Sequence, residues 1–304
     1  MSDAGPDEAA GLSATVVIVT KDRVDQLLTA VASAVAQRGP VDVLVIDDGS
    51  SDDTTERVRA RFPDVAVHRR DASAGLVARR NEAAELATGD VLVSIDDDAR
   101  FSTPDVVAQT LRDLADPRVG AVAVPYVEAA QGPEVRQRAP EDDGVWTTAS
   151  FRGTAYAVRR ELFLALGAFR AEIVHQGEEP DFAVRLLDAG RAIRLGRAEP
   201  IIHEESPNRN MWRMTHYGRR NELLLCWTRY PRGWALVHQA KFLARGLRAG
   251  HRVGEWRATF SGLAAGLAIC WRYRGERRPV STAAMWRLHR LRGGRTERLP
   301  DLPR

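Results

Sequence analysis

The chain has 304 residues, 44% hydrophobic and 28% charged, which leaves room for one large α/β domain with an appendage, or two modest domains, and excludes global disorder. Its net charge of +3 conceals an asymmetry: residues 1–204 carry 23 basic and 35 acidic side chains, whereas residues 205–304 carry 21 and 6. Residues 1–14 lack the basic-then-apolar pattern of a secretory leader, and Cys226 and Cys270, far apart among apolar or aromatic neighbours, read as reduced thiols of a cytosolic protein.

The first predicted element is TVVIV at 15–19, a β-branched run of the kind buried on both faces of a parallel sheet. Asp22 stands where it can cap a helix whose apolar positions Val24, Leu27, Leu28 and Val31 recur at helical spacing. A second buried strand over 41–46 runs into Asp47-Asp48-Gly49-Ser50-Ser51, with a helix over 54–61 behind it. A short strand over 65–68 and a helix over 78–87, stopped by Thr88-Gly89, precede a strand over 91–95 that ends in Asp96-Asp97-Asp98. Another helix follows Pro104. The alternation predicts a doubly wound, mostly parallel α/β sheet, in which ligands sit beyond the carboxyl ends of the strands. Both acidic clusters fall at such ends. Past Gln131 the pattern loosens as far as Asp143, then resumes with a strand over 150–158 and helices over 160–166 and 180–189.

Three adjacent carboxylates repel one another unless a cation neutralises them, and Mg²⁺ or Mn²⁺ held by one or two carboxylates and phosphate oxygens does so. A carboxylate at Asp48 suits the ring N–H of uracil, thymine or guanine. The plain alternatives are a solvated loop and an ordinary strand-to-helix turn. Gly177-Glu178-Glu179-Pro180-Asp181 supplies a second acidic site, and His203, after a short strand over 200–202, an imidazole able to complete a divalent site. Acids are also favoured at a helix N-terminus for purely structural reasons, and a lone histidine is commonly structural.

VVIVTKDR, VLVIDDGSSDDT, GLVARRNEAAELATGD and VLVSIDDDA occur in the order and approximate spacing of family-2 glycosyltransferases of the GT-A fold, a resemblance covering residues 13–205. It implies Thr20 and Asp48 at the nucleoside, Arg80 facing the nucleotide pocket, and Asp96 and Asp98 as the family's D-x-D pair. Asp98 would bind the metal, Asp96 the ribose or donor-sugar side, and His203 would complete the metal site. GEEPD resembles the family's G-E-D-x-D-L segment, whose central acid is the catalytic base; that position is Glu179, with Asp181 as the second candidate. Gly153 falls where a small residue lines the donor-sugar floor. Two departures stand out: Lys21-Asp22 replaces the usual Tyr-Asn, and Arg170 in LGAFRAE replaces an acid.

Residues 206–304 read as a basic helical extension. Within 234–252, Leu236, Ala240, Leu243 and Leu247 share one helical face, and Lys241, Arg245, Arg248 and Arg252 another. That pattern suits an anionic membrane surface, an anionic acceptor, or packing on the catalytic domain. The apolar stretch over 258–271 is shorter than the about 20 residues a bilayer span needs and reads as a buried or interfacial helix. No nucleic-acid module is recognisable. The expected organisation is a disordered tail over 1–12, a GT-A catalytic domain over 13–205 and the helical extension. The expected activity is inverting, metal-assisted transfer of a sugar from a nucleoside diphosphate, UDP or dTDP favoured, to a glycan, lipid carrier or small metabolite. The expected setting is the cytoplasm, with peripheral contact at the inner face of the membrane. A sugar nucleotidyltransferase is the weaker alternative, since no glycine-rich loop follows the first strand; a silent nucleotide-sugar-binding module is the other.

Overall fold

The computed structural model describes residues 11–204, 210–253 and 256–300, and for residues 243 and 245–253 the backbone only. Strand β1 (Ala14–Thr20) is buried along its length, with Val16 and Ile18 in one core and Val17 and Val19 in the other. Two buried faces require a central position, and β2 (Val41–Asp47) and β4 (Val91–Asp96) flank it in parallel register. Beyond β2 lies β3 (Ala66–Arg69). On the other side follow β10 (Ala155–Arg159), β6 (Val119–Ala123), β11 (Ala192–Leu195), β9 (Val145–Thr147) and β13 (Glu297–Leu299). The nine-stranded order is β13-β9-β11-β6-β10-β4-β1-β2-β3. All its strands but β10 and β9 run one way, so the sheet is mostly parallel, as expected.

Helices α1 (Val24–Val35), α2 (Thr54–Arg61) and α4 (Val106–Asp113) cover one face through Leu27, Val31, Val58, Val107 and Leu111. Helices α3 (Leu76–Leu86), α5 (Arg160–Ala165) and α6 (Glu178–Asp188) cover the other, where Phe163, Phe169 and Phe182 pack edge-on or tilted with centroids 4.9–5.8 Å apart. Each such fully buried side chain contributes about 1.5–3 kcal/mol over an exposed one. A second sheet, β5-β12-β7-β8, is made of β5 (Ala99–Phe101), β12 (Ile201–His203), β7 (Tyr126–Glu128) and β8 (Val135–Arg136). Its register sets His203 opposite Ala99 on one side and Glu128 on the other.

Three local expectations are corrected. Asp22 does not cap α1. With φ +53° it turns back, and its carboxylate accepts from the Ser51 amide and hydroxyl at 2.6 and 2.9 Å, joining the loops after β1 and β2. The strand expected from 150 begins only at Ala155. The C-terminal region is helical through α7 (Met211–Arg229), α8 (Arg232–Val253), α9 (Trp256–Arg272) and α10 (Thr282–Leu291), but it finishes as β13, antiparallel to β9 in the main sheet. Leu225, Cys226, Tyr230, Met285 and Leu288 of these helices share an apolar cluster with Val184 and Leu187 of α6. Both cysteines are unpaired. Most of the proposed 1–12 tail, and the side chains of Leu243, Leu247, Arg245, Arg248 and Arg252 on α8, lie outside the described residues.

Gly89 shows how tightly the sheet edge and the helix ends fit. A Cβ there would lie 2.6 Å from the backbone of Ala14 and Thr15, whose hydroxyl accepts from the Gly89 amide at 2.9 Å. Gly89→Ala is expected to cost about 1–3 kcal/mol, seen as a fall in Tm of several degrees. An unchanged Tm would show that the turn shifts freely.

Candidate active site

The site grows from the end of β4. Asp96 pairs with Val19 across the β1–β4 ladder, and the chain then turns directly into β5, so the three aspartates sit on a corner. Their carboxylates take different roles. Asp97 is turned inward, accepting from the Thr20 hydroxyl at 2.9 Å and the Arg23 guanidinium at 3.1 Å. Burial raises its pKa to about 6, against the pull of Arg23 and Thr20. Asp98 accepts from Arg23 at 3.0 Å through Oδ2, while Oδ1 lies 3.2 Å from His203 Nε2. Burial opposes the Asp98 charge, yet His203 and Arg23 hold its pKa below the usual carboxylate value. Asp96, the most exposed of the three, accepts from Arg80 at 2.6 Å.

The small sheet delivers the remaining pieces. His203 Nδ1 lies 2.8 Å from Glu128 Oε2, so the buried carboxylate accepts a hydrogen bond from Nδ1–H and aims Nε2 at Asp98. Burial disfavours the imidazolium, but Asp98, Asp96 and Glu128 outweigh it and raise the pKa to about 9. One ligand atom each from Asp96, Asp98 and His203 lies within 4.8 Å of the others. Two carboxylates and an imidazole, with an outer carboxylate fixing the ring, form a donor set able to hold a divalent cation. A second group, Glu222, Cys226 and His238, sits between α7 and α8. There Arg292 donates to His238 Nδ1 at 2.6 Å, so Nε2–H donates to Glu222 and both ring nitrogens are engaged.

Arg80 spans the distance from the aspartates to α6. It is buried, bonds Asp96 and the Gly153 carbonyl (2.8 Å), and lies 3.4 Å from Glu178. Gly153 is where these groups meet: a Cβ there would lie 2.7 Å from both the Arg80 guanidinium and Glu179 Oε1. The absence of a side chain therefore leaves room for both Glu179 and the arginine that holds Asp96 at this point. Glu178, also in the first turn of α6, is buried. Its pKa is raised to about 7 by burial and the Glu179 charge, against Arg80.

Asp181 is a different case. Fully buried, it gives one oxygen to Arg185 at 2.7 Å and the other to Arg229 of α7 at 2.8 Å. A carboxylate clamped between two guanidiniums and closed to solvent is a tie between α6 and α7, not a base for an incoming hydroxyl. Of the two acids expected as base, only Glu179 stands on the Arg80 side.

Thr20 and Asp48, expected at the nucleoside, are committed to the protein as well. Thr20 is buried with its hydroxyl on Asp97, and Asp48 accepts from the Ser73 hydroxyl (2.6 Å), the amides of Ala74 (2.7 Å) and Gly75 (2.9 Å), and Arg79 (2.6 Å). A base contact at Asp48 requires one of these donors to yield. Arg23, Glu128 and Arg79 carry much of this charge balance, and sequence reading singled out none of them. An open depression of about 430 Å³ lined by Thr15, Val41, Asp42 and Thr88 lies at the opposite, amino ends of the strands.

The tie through Asp181 has a direct consequence. Asp181→Ala strands Arg185 and Arg229 and is expected to destabilise the fold by about 3–5 kcal/mol, read from chemical denaturation. Glu179→Gln, at a half-buried position, should leave the denaturation midpoint within about 0.5 kcal/mol of the parent. Equal effects of the two substitutions would contradict this division of roles.

Comparison with known proteins agrees with the geometry. Residues 15–171, just over half of the chain, match glycosyl transferase family 2. A glucosyl-dolichyl phosphate glucuronosyltransferase of Haloferax volcanii is 27% identical over 205 residues, covering 60% of this chain and 63% of that protein. The chain thus spans under two thirds of that relative's length. Among solved structures, the mannosyltransferase PcManGT of Pyrobaculum calidifontis in complex with GDP-Man and Mn²⁺ superposes with a TM-score of 0.60 at 23% identity, covering 94% of this chain and 81% of that one. GalNAc-T7 with UDP, GalNAc and Mn²⁺ gives 0.57 at 16% identity, covering 73% and 48%. The fold is GT-A, and the chain belongs to glycosyl transferase family 2.

Proposed function

We propose that this glycosyltransferase inverts configuration, moving one sugar from a nucleoside-diphosphate donor to an acceptor hydroxyl with a divalent cation at Asp96, Asp98 and His203. The observation that carries this reading is the arrangement around Gly153, where Glu179 and the arginine that holds Asp96 both border the space a side chain would fill. A base and a diphosphate-binding cluster are thereby set on two sides of one point. Mg²⁺ or Mn²⁺ supplies charge to the leaving diphosphate. Mn²⁺ in both structural neighbours supports that choice.

The chain's own groups do the rest. Glu179 takes the proton of the acceptor hydroxyl as that oxygen bonds to the anomeric carbon and the bond to the diphosphate oxygen breaks, through an oxocarbenium-like transition state. Attack from the face opposite the leaving group inverts the carbon. Arg80 holds Asp96 in place and opposes the rise that burial and the Glu179 charge impose on the Glu178 pKa. Asp48, with Thr20 behind the loop, serves the nucleoside once a donor at Asp48 gives way, which favours UDP, dTDP or another base carrying a ring N–H. A lipid-linked sugar is the acceptor class suggested by the Haloferax relative's name. We place the reaction in the cytoplasm, in keeping with two unpaired cysteines.

Two measurements test the chemistry. Asp98→Asn should abolish Mn²⁺-dependent donor binding in calorimetry, whereas Glu179→Gln should bind donor normally and lose about 10²–10⁴-fold in turnover. Near-normal turnover by Glu179→Gln would remove Glu179 as base, and retention of the donor's anomeric configuration, read by NMR of the product, would remove inversion. The second measurement concerns pH. His203, with a pKa of about 9 in the metal-free protein, must shed a proton to bind a cation at neutral pH. Mn²⁺ affinity should therefore rise with pH between 6 and 8, by up to about tenfold per unit. A flat profile would take His203 out of the ligand set.

A further inference from the structure

Helix α9 is built inside out. Its inner face is small: Ala258, Thr259, Gly262, Gly266 and Ile269 are buried. A Cβ on Gly262 would lie 2.4 Å from the His216 carbonyl oxygen, and one on Gly266 2.5 Å from Leu223, so α9 is pressed against α7 at the closest approach its backbone allows. The large apolar side chains point away: Phe260, Leu267 and Trp271 are 58, 67 and 71% exposed. With Ala264, also exposed, they recur at i, i+4, i+7 and i+11, one stripe along the helix, and Trp256 extends it by stacking on Phe260 at 5.9 Å. A surface helix ordinarily buries its apolar stripe and exposes its polar one. Scattered exposed apolar residues need no explanation, but a continuous stripe of this kind marks a contact.

The charges around the stripe say what the contact is. No acid occurs in α9, and exposed Arg257, Arg272 and Arg274 stand at its two ends. The Arg274 guanidinium lies 4.5 Å over the Trp271 ring. Glu276, the acid just beyond, is already paired with Arg170 at 2.9 Å. Tryptophans and arginines edging an apolar stripe match the boundary between headgroups and acyl chains, where aromatic rings and long cationic side chains are at home. Seventeen residues do not make a span, and no described helix is long and apolar enough to cross a membrane.

We infer that α9 lies in the plane of an anionic phospholipid bilayer, with Phe260, Leu267 and Trp271 below the headgroups and the arginines on them. The surface carries this independently of the proposed chemistry, and its test uses neither donor nor acceptor. Vesicles of phosphatidylcholine with one quarter phosphatidylglycerol are mixed with the full chain and pelleted. The parent should bind them at least tenfold more tightly than phosphatidylcholine alone, and the combined Phe260→Ser, Leu267→Ser, Trp271→Ser variant should lose at least tenfold, with its circular dichroism unchanged. Replacing Arg257 and Arg272 by Gln should weaken binding to the charged vesicles by about fivefold for each arginine. Should the serine variant fail to fold, tryptophan emission of the parent decides: quenching by acyl-brominated lipid supports insertion, and its absence overturns it. Equal binding by parent and variant, or a stripe-dependent dimer in ultracentrifugation with no vesicle binding, also overturns the proposal.

Discussion

Asp96, Glu178 and Glu179 bring three carboxyl groups around the buried Arg80, Asp97 and Asp98 follow on the same corner beside Arg23, and that density of negative charge is what the rest of the structure has to accommodate. Repulsion is relieved in three ways. Asp97 is turned inward and partly protonated near pH 6, Arg23 bridges Asp97 and Asp98, and Arg80 links Asp96 to the first turn of α6. His203 adds a third positive group in the metal-free state. Each device lies on a different element, so the loop after β1, helix α3, the small sheet and α6 are joined through electrostatics as much as through packing.

How far this was readable in the chain depends on the range of the interaction. β1, β2 and β4 were legible because continuous β-branched runs admit only burial on two faces, and their acidic ends announced the ligand side of the sheet. Asp98 and His203, picked out by pattern, are brought together by the fold. Glu128 was not legible, because it acts through register: only the parallel pairing of β7 with β12 sets it beside His203. Asp181 was the second candidate to Glu179 from sequence, and what sets it apart is Arg229, 48 residues away on α7. Asp22 looked like a cap because spacing cannot show a backbone turned to positive φ.

The departures from the family pattern also acquire a physical reading. Asp22, in place of the usual Asn, ties the loop after β1 to Ser51 in the loop after β2. Arg170, in place of an acid, is ion-paired with Glu172 at 3.1 Å and reaches Glu276 beyond α9, with its guanidinium 5.1 Å from the Tyr273 ring. The substitution therefore recruits a residue of the catalytic half to anchor the helices behind it.

β13 gives that anchoring a topological form. The final described strand returns across the whole C-terminal region to lie against β9, whose Thr147 hydroxyl donates to the Glu297 carbonyl at 2.8 Å. Helices α7 to α10 thus fall, along the chain, between β12 of the small sheet and β13 of the main one. A shortened chain ending before Glu297 would leave β9 as a bare rim, with unpaired amides open to any passing strand. The helical half is consequently a built-in part of the catalytic sheet's edge, and evolution could exchange it for another only by re-covering that rim.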